Sequence, residues 1–169
     1  NMTILKNKLM KFPSMKNLDL ASKISTSYMY KWFNQKKLKS FKIQKNFIAV
    51  IDFGIKKNIL NILSCSNYEV IVFPYNFSIN EIIKMKPSGL FLSNGPGDPL
   101  ATFKKNKKNL CFLKNFKKPI FGICLGHQIL SLIYSAKTEK MHHGHRGANH
   151  PIKNVKTKKV EITVQNHGF

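Results

Sequence analysis

The sequence predicts an α/β fold in which a mainly parallel sheet is flanked by helices. Three observations carry that expectation. Short, continuously apolar runs recur at FIAVID (47–52), EVIVF (69–73), GLFLS (89–93) and PIFGI (119–123), as strands buried on both faces require. Helix-like stretches alternate with them, which is the βαβ rhythm of a parallel sheet. The connections are punctuated by Gly, Pro, Asn and Asp, most densely in NGPGDP (94–99).

The elements follow in order. Residues 1–46 read as irregular, apart from a short helix after Asp19; YKWFNQKKLKSFKIQK (30–45) is basic and only weakly periodic. From Phe47 the pattern sharpens. After FIAVID, Gly54 lets the chain turn into IKKNILNIL (55–63), whose Ile55, Ile59, Ile62 and Leu63 share one helical face. Pro74 closes EVIVF, and Ser78 or Asn80 caps a short helix through EIIKMK (81–86). GLFLS leads into the NGPGDP loop, and a lysine-rich helix is expected over 101–116. PIFGI is the fourth strand and LGHQILSLIY (125–134) a helix. KTEKM (137–141) and VEITVQ (160–165) read as further strands. Loops beyond the carboxyl ends of parallel strands carry function. NGPGDP and Cys124 both fall there, so they are expected to be neighbours although 29 positions separate Gly95 from Cys124.

With 169 residues and 43% hydrophobic content, the chain can bury the core of one domain and carry a peripheral segment. No apolar run approaches the roughly 20 residues of a membrane span. NMTILKNKLMKF lacks the long apolar core of a secretory signal, so a soluble intracellular protein is expected. The formal charge is +22, yet Arg146 is the only arginine among 29 basic residues. Nucleic-acid surfaces use arginine, whose planar fork fits phosphates and guanine edges. The lysines here are scattered, which reads as compositional drift and solvated faces and leaves room for an acidic partner protein. Cys65, Cys111 and Cys124 form no CxxC pair, so neither a disulfide framework nor a zinc site is expected, and a reducing compartment fits. Cys65 and Cys111 read as small, buried or half-buried side chains.

Gly122-Ile-Cys124-Leu-Gly126 lies between a strand and a helix and has the form of a nucleophile elbow. The turn would lift Cys124 above the sheet. Glycines on either side let strand and helix pack closely, and the Leu125 amide is placed to hold an oxyanion. The helix start favours a thiolate. A buried cysteine flanked by packing glycines is the competing reading, and His127 and Gln128 on the first helical turn argue against it. His127 itself sits too close along the helix to reach back over Cys124 and reads as a structural histidine.

FGICLGHQ preceded by LFLSNGPGDP resembles the class I, or triad, glutamine amidotransferases. AVIDFGIKKNIL, AKTEKMHHGHRGANHPIKN and QNHGF narrow the resemblance to the glutamine-hydrolysing small subunit of carbamoyl phosphate synthase, over about residues 12–169. It implies a flavodoxin-like domain at 47–169, C-terminally incomplete, after the end of an N-terminal domain and linker at 1–46. It also implies that Cys124 attacks the side-chain amide of glutamine, forming a thioester and releasing ammonia. By the same resemblance, the Gly95 and Leu125 amides stabilise the intermediate. Gly95, Gly97, Leu125, Gln128, Asn166, Gly168 and Phe169 hold L-glutamine. The residue chemistry agrees, since a Gly-Pro-Gly loop permits close backbone approach and Gln128 and Asn166 can serve a zwitterion. Taken alone, NGPGDP would be an ordinary tight turn.

The resemblance further implies a large-subunit partner that uses bicarbonate and ATP, with its metal ion, to make carbamoyl phosphate for arginine and pyrimidine synthesis. It implies no cofactor and no metal in this chain, no nucleic acid and no membrane. His142, His143, His145 and His150 then form a polar loop, and Lys56 and Lys57 are solvated. The compartment is the cytoplasm or, as the alternative, the plastid stroma.

The chain departs from the pattern at the base. The family's histidine sits in an HPE-type motif beyond QNHGF, and none of the six histidines here does; His150 is followed by Pro151 but then by Ile152. The chain is therefore expected to be a piece cut at both ends, missing the last strands of its sheet and nearly inactive alone. Three alternatives stay open. One is the glutaminase of another synthase, of the anthranilate, aminodeoxychorismate or GMP type, which shares GxCLGHQ. The second is a lysine-rich nucleic-acid-binding protein, which would bind with steep salt dependence. The third is a catalytically silent scaffold subunit.

Overall fold

In a computed structural model, which describes residues 2–43 and 46–169, six strands form one sheet. They are β1 (Tyr30–Phe33), β2 (Lys36–Leu38), β3 (Phe47–Asp52), β4 (Glu69–Pro74), β5 (Gly89–Leu92) and β6 (Ile120–Gly122), in the order β2-β1-β4-β3-β5-β6. The four strands expected from the apolar runs are parallel to one another. Asn1, Gln44 and Lys45, which the sequence places in the N-terminal segment, lie outside the described residues.

Alternation along β3 explains why its run is apolar throughout. Phe47, Ala49 and Ile51 enter a core shared with the buried faces of α2 (Ala21–Ile24), α4 (Ile79–Lys84), α5 (Pro99–Lys105), α6 (Lys107–Leu110) and α7 (Leu125–Ile133). Val50 points the other way, to a smaller core under α3 (Lys57–Ser64) that also holds Trp32, Leu60, Val72 and Phe91. Among the described residues, α3 is the only helix in that second core. Beside it runs an apolar groove of about 350 Å³ between Ile59, Ile62 and Leu63 on one side and Phe91 and Phe121 on the other.

The segment expected to be irregular contributes structure. α1 (Met2–Met10) buries none of its residues, whereas β1 pairs antiparallel with β4 and extends the sheet. Tyr30 and Trp32 point inward while Lys31 and Phe33 point out. A two-residue turn at Asn34 and Gln35, with φ of 47° and 59°, joins β1 to β2. This is the mirror-image hairpin turn made without its usual glycine, so the sequence carries little sign of it.

The lysine-rich helix is also different from expectation. It starts early because Asp98 caps it, accepting from Leu100 N–H at 2.8 Å and Ala101 N–H at 3.4 Å, with Pro99 in the first turn. It then breaks at Asn106, whose side-chain nitrogen donates to Tyr75 O, into α6 and a 3₁₀ turn at Cys111–Asn115. Ser78, not Asn80, caps α4. KTEKM forms no strand. The extended pairing lies instead in β7 (His145–Lys153), antiparallel to β8 (Val160–His167) as a separate two-stranded sheet with a bulge between Gly147 and His150. Cys65 is exposed, contrary to the buried or half-buried expectation, and Cys111 is half-buried.

Asp19 ties the N-terminal segment to α5. Its Oδ1 accepts from Thr102 Oγ1 at 3.0 Å and Ser22 N–H at 3.2 Å, and Lys105 Nζ lies 3.2 Å from its other oxygen. Burial pushes the carboxyl pKa up, but the bonds from Ser22, Thr102 and Lys105 outweigh it and hold the group below its ordinary 3.8. The folded chain therefore resists protonation more than the unfolded one. The stability this group supplies is whole above the unfolded value near 3.8 and drains away as pH falls through the lower folded value. Melting temperature followed against pH should fall less steeply in that acid range for Asp19→Asn than for wild type. Parallel curves would mean that Asp19 plays no part.

Candidate active site

At the end of β6 the chain must reverse into α7 within two residues, and Cys124 makes the turn at φ 51°, ψ −111°. A side chain in that region costs roughly 1–3 kcal/mol, which surrounding contacts have to hold in place. They do so through backbone packing. A Cβ on Gly126 would stand 2.1 Å from Leu92 O on β5, and one on Gly122 would stand 2.7 Å from the Gly126 carbonyl carbon. Only glycine lets the helix start so close to the sheet. The nucleophile-elbow geometry expected from GICLG is therefore present, with the Cys124 thiol half-buried and donating to Asn166 O at 3.8 Å.

The NGPGDP loop is fixed from below. Buried Ser93 accepts the Phe53 N–H at 2.8 Å and donates to Asn94 O at 2.8 Å. Asn94 in turn bonds Gly54 O and the Lys56 N–H, linking the loop to the start of α3. Gly95 passes so close to β3 that a Cβ would lie 2.1 Å from Phe53 O and 2.8 Å from Leu125 Cδ2. Among the described residues, neither the Gly95 N–H nor the Leu125 N–H is donated to an acceptor. The N-terminal segment seals the far side: Asp98 N–H donates to Leu18 O at 2.8 Å, and Asp98 Oδ2 accepts the Asn17 N–H at 2.7 Å.

The β7–β8 hairpin and the residues after it bring the third wall. Gln128 Nε2 donates to Phe169 O at 2.8 Å, and Met141 N–H to Gly168 O at 2.9 Å. The result is a cavity of about 340 Å³ lined by residues that include Gly95, Gly97, Cys124, Gln128, Asn166, Gly168 and Phe169. Leu125 lies beneath it with its side chain buried. Seven of the eight candidate site residues thus line one cavity, Leu125 being the exception. A second, adjoining cavity of about 670 Å³ continues from Cys124 past His127 and Ser131 to Lys137 and Val164.

The histidines behave differently. His127 is exposed and its ring bonds to nothing among the described residues, so it is not the satisfied structural histidine expected from the sequence. Among the described residues no imidazole is hydrogen-bonded to the Cys124 thiol, whose partner is Asn166 O. His167 is occupied elsewhere, with one ring nitrogen 2.7 Å from Phe169 O and the other 3.0 Å from both His145 Nδ1 and Gln165 Oε1. Among the described residues no group of three or more His, Cys, Asp or Glu is arranged to hold a metal. Nor is any described helix long and apolar enough to cross a membrane.

Comparison with known proteins decides the lineage of this arrangement. The pattern of the family described as glutamine amidotransferase class-I matches residues 49–169. The chain belongs to the class I glutamine amidotransferase family. Relatives named carbamoyl phosphate synthase small chain include one from Bartonella bacilliformis, 46% identical, whose alignment takes in 98% of this chain and 43% of the relative. Another, from Buchnera aphidicola subsp. Schizaphis graminum, is 43% identical over 100% of this chain and 46% of the relative. The chain thus spans less than half the length of these relatives. A crystal structure of a Thermoplasma acidophilum protein assigned to GMP synthase aligns with TM-score 0.61 at 20% identity, over 75% of this chain and 67% of that one. At that identity the match speaks for the class I amidotransferase fold alone.

Sequence reasoning missed some of the wall. Met15, Asn94, Arg146 and His167 line the same cavity as Cys124. Met15 comes from a segment with no pattern of its own. Arg146 carried a signal, because it is the single arginine in a chain that otherwise uses lysine.

Proposed function

We propose that this chain carries the nucleophile half of a glutaminase that supplies ammonia for carbamoyl phosphate synthesis. The observation that carries the reading is the strained elbow at Cys124, facing in one cavity the Gly95 loop and the residues Asn166, Gly168 and Phe169. The Cys124 sulfur adds to the amide carbon of the glutamine side chain. The unpaired N–H groups of Gly95 and Leu125 stabilise the resulting oxyanion. The carbon–nitrogen bond then breaks, the nitrogen takes up a proton and leaves as ammonia, and a thioester remains. Water cleaves that thioester to glutamate and frees the thiol.

Gln128 braces the Phe169 carbonyl through its nitrogen and leaves its oxygen for a substrate donor. The ammonia passes to a large synthetase subunit that consumes bicarbonate and ATP with its metal ion, and this chain contributes no cofactor. The names of the relatives support the partner, and the three free cysteines suit a reducing compartment, the cytoplasm or a plastid stroma.

Among the described residues no imidazole bonds the thiol, and this reading assigns the base to the part of the longer relatives that the alignment with this chain does not cover. General acid–base assistance is worth about 10²–10⁴-fold. The 169-residue chain alone should therefore release ammonia from glutamine about 10³-fold more slowly than the full-length product, and the full-length rate should rise when the large subunit is added. Ammonia release measured on the three preparations tests this. A full-length product that stays inert with its partner would sink the reading, and a fully active 169-residue chain would sink the assignment of the base.

A further inference from the structure

The cavity beside Cys124 has one cationic side chain on its wall and no carboxylate. That cation is Arg146. The hairpin register sets it opposite Asn166, and one of its terminal nitrogens lies 3.7 Å from where a Cβ on Gly168 would stand. Among the described residues its guanidinium has no carboxylate, carbonyl or ring as a partner. Lys140 approaches the same point to 3.6 Å but is committed, bonding Met141 O and lying over the Phe169 ring at 5.7 Å. Elsewhere in the chain 28 lysines serve as the cations, so composition alone does not account for a lone guanidinium in this position.

An arginine fork differs from an ammonium in one useful respect. It presents two parallel N–H donors that match the two oxygens of a carboxylate and fix its orientation. A cavity lined by a thiol, the Gly95 loop and an uncommitted guanidinium therefore suits a ligand with an acyl group at one end and a carboxylate at the other.

We propose that Arg146 binds the α-carboxylate of the substrate glutamine and so restricts the site to free α-amino acids. This rests on the glutaminase reading above. The guanidinium contacts a part of the substrate that does not react, and its contribution is the same in the ground state and the transition state. It should accordingly appear in KM and not in kcat.

The test is steady-state hydrolysis by the full-length protein with its synthetase partner, on L-glutamine and on L-glutaminamide, whose α-carboxylate is masked as a neutral amide. Wild type, Arg146→Met and Arg146→Lys are compared. Arg146→Met should raise KM for glutamine at least about tenfold with kcat held within about twofold, and should change kcat/KM for L-glutaminamide by less than about twofold. Arg146→Lys should fall between, keeping the charge without the fork. Equal losses on both substrates, or no loss on glutamine, would overturn the role of Arg146 and leave a Cys124-dependent glutaminase standing. If wild type shows no Cys124-dependent hydrolysis, both fall together.

Discussion

Cys124→Ser in the full-length protein should abolish ammonia release from glutamine, by about 10⁴-fold or more, while the protein remains folded. The substitution exchanges one heavy atom. A thiol supplies some anion near neutral pH and is intrinsically nucleophilic, whereas a hydroxyl supplies almost none without a strong base. The rest of the site is left as it was. The Gly95 loop still lines the cavity, and a serine hydroxyl can replace the long 3.8 Å bond to Asn166 O. Stability should accordingly stay within about 1 kcal/mol of wild type, since a bond of that kind contributes little. Ammonia assays and a thermal melt on the same preparation separate the two effects. A variant as active as wild type would mean that the elbow is architecture only and that the nucleophile lies elsewhere.

Gly126→Ala should have the largest effect on the fold, and with the opposite sign to the usual one. In an exposed helix the change stabilises by nearly 1 kcal/mol, because glycine is the poorer helix former. Here the new methyl would stand 2.1 Å from Leu92 O and 2.5 Å from Leu92 C. Both are backbone atoms of a central parallel strand, so no flexible side chain can give way, and β5 and α7 must separate. A net loss of about 3 kcal/mol is expected, at the upper end of the usual cost of overpacking. Urea midpoints at constant slope would measure it. An unchanged or raised midpoint would show that helix and strand have room to move apart, and that the strained angles of Cys124 do not depend on that contact.

What the sequence made legible follows from physics that acts over short distances. β3, β4 and β5 are buried on both faces, so each reads as an unbroken apolar run; β6 keeps such a run at the sheet edge although Phe121 is exposed, and GICLG shows its packing through its glycines. Ser78 announces a helix start because capping needs a particular side chain at a particular place, whereas Asp98 caps α5 from within a stretch that reads as loop. The remainder depends on distant partners. β1 is held by its pairing with β4, from Tyr30 opposite Val72 to Trp32 opposite Val70, and its turn lacks the glycine that would mark it. In β7, HRGANHPIK contains Gly, Asn and Pro and pairs only because β8 runs beside it past a bulge. KTEKM has a strand-like composition but, among the described residues, meets a neighbouring backbone only where Met141 N–H donates to Gly168 O. Cys124, the Gly95 loop and Asn166 were expected to be neighbours and share one cavity, while the contributions of Met15 and Arg146 to its wall arise only when the chain is closed.

The order of these pieces along the chain has a consequence for synthesis. Cys124 is followed 42 positions later by Asn166, the residue whose carbonyl its thiol meets, and Gly168 and Phe169 come after that. β5, which supports the elbow from beneath, is made before it, whereas the hairpin wall is made afterwards. A polypeptide emerging amino end first therefore sets its sulfur in position before anything exists to enclose a small molecule beside it. The reactive atom comes early and the hairpin wall of the pocket comes later, so any ligand dependence of this region is acquired only after β7 and β8 have been made.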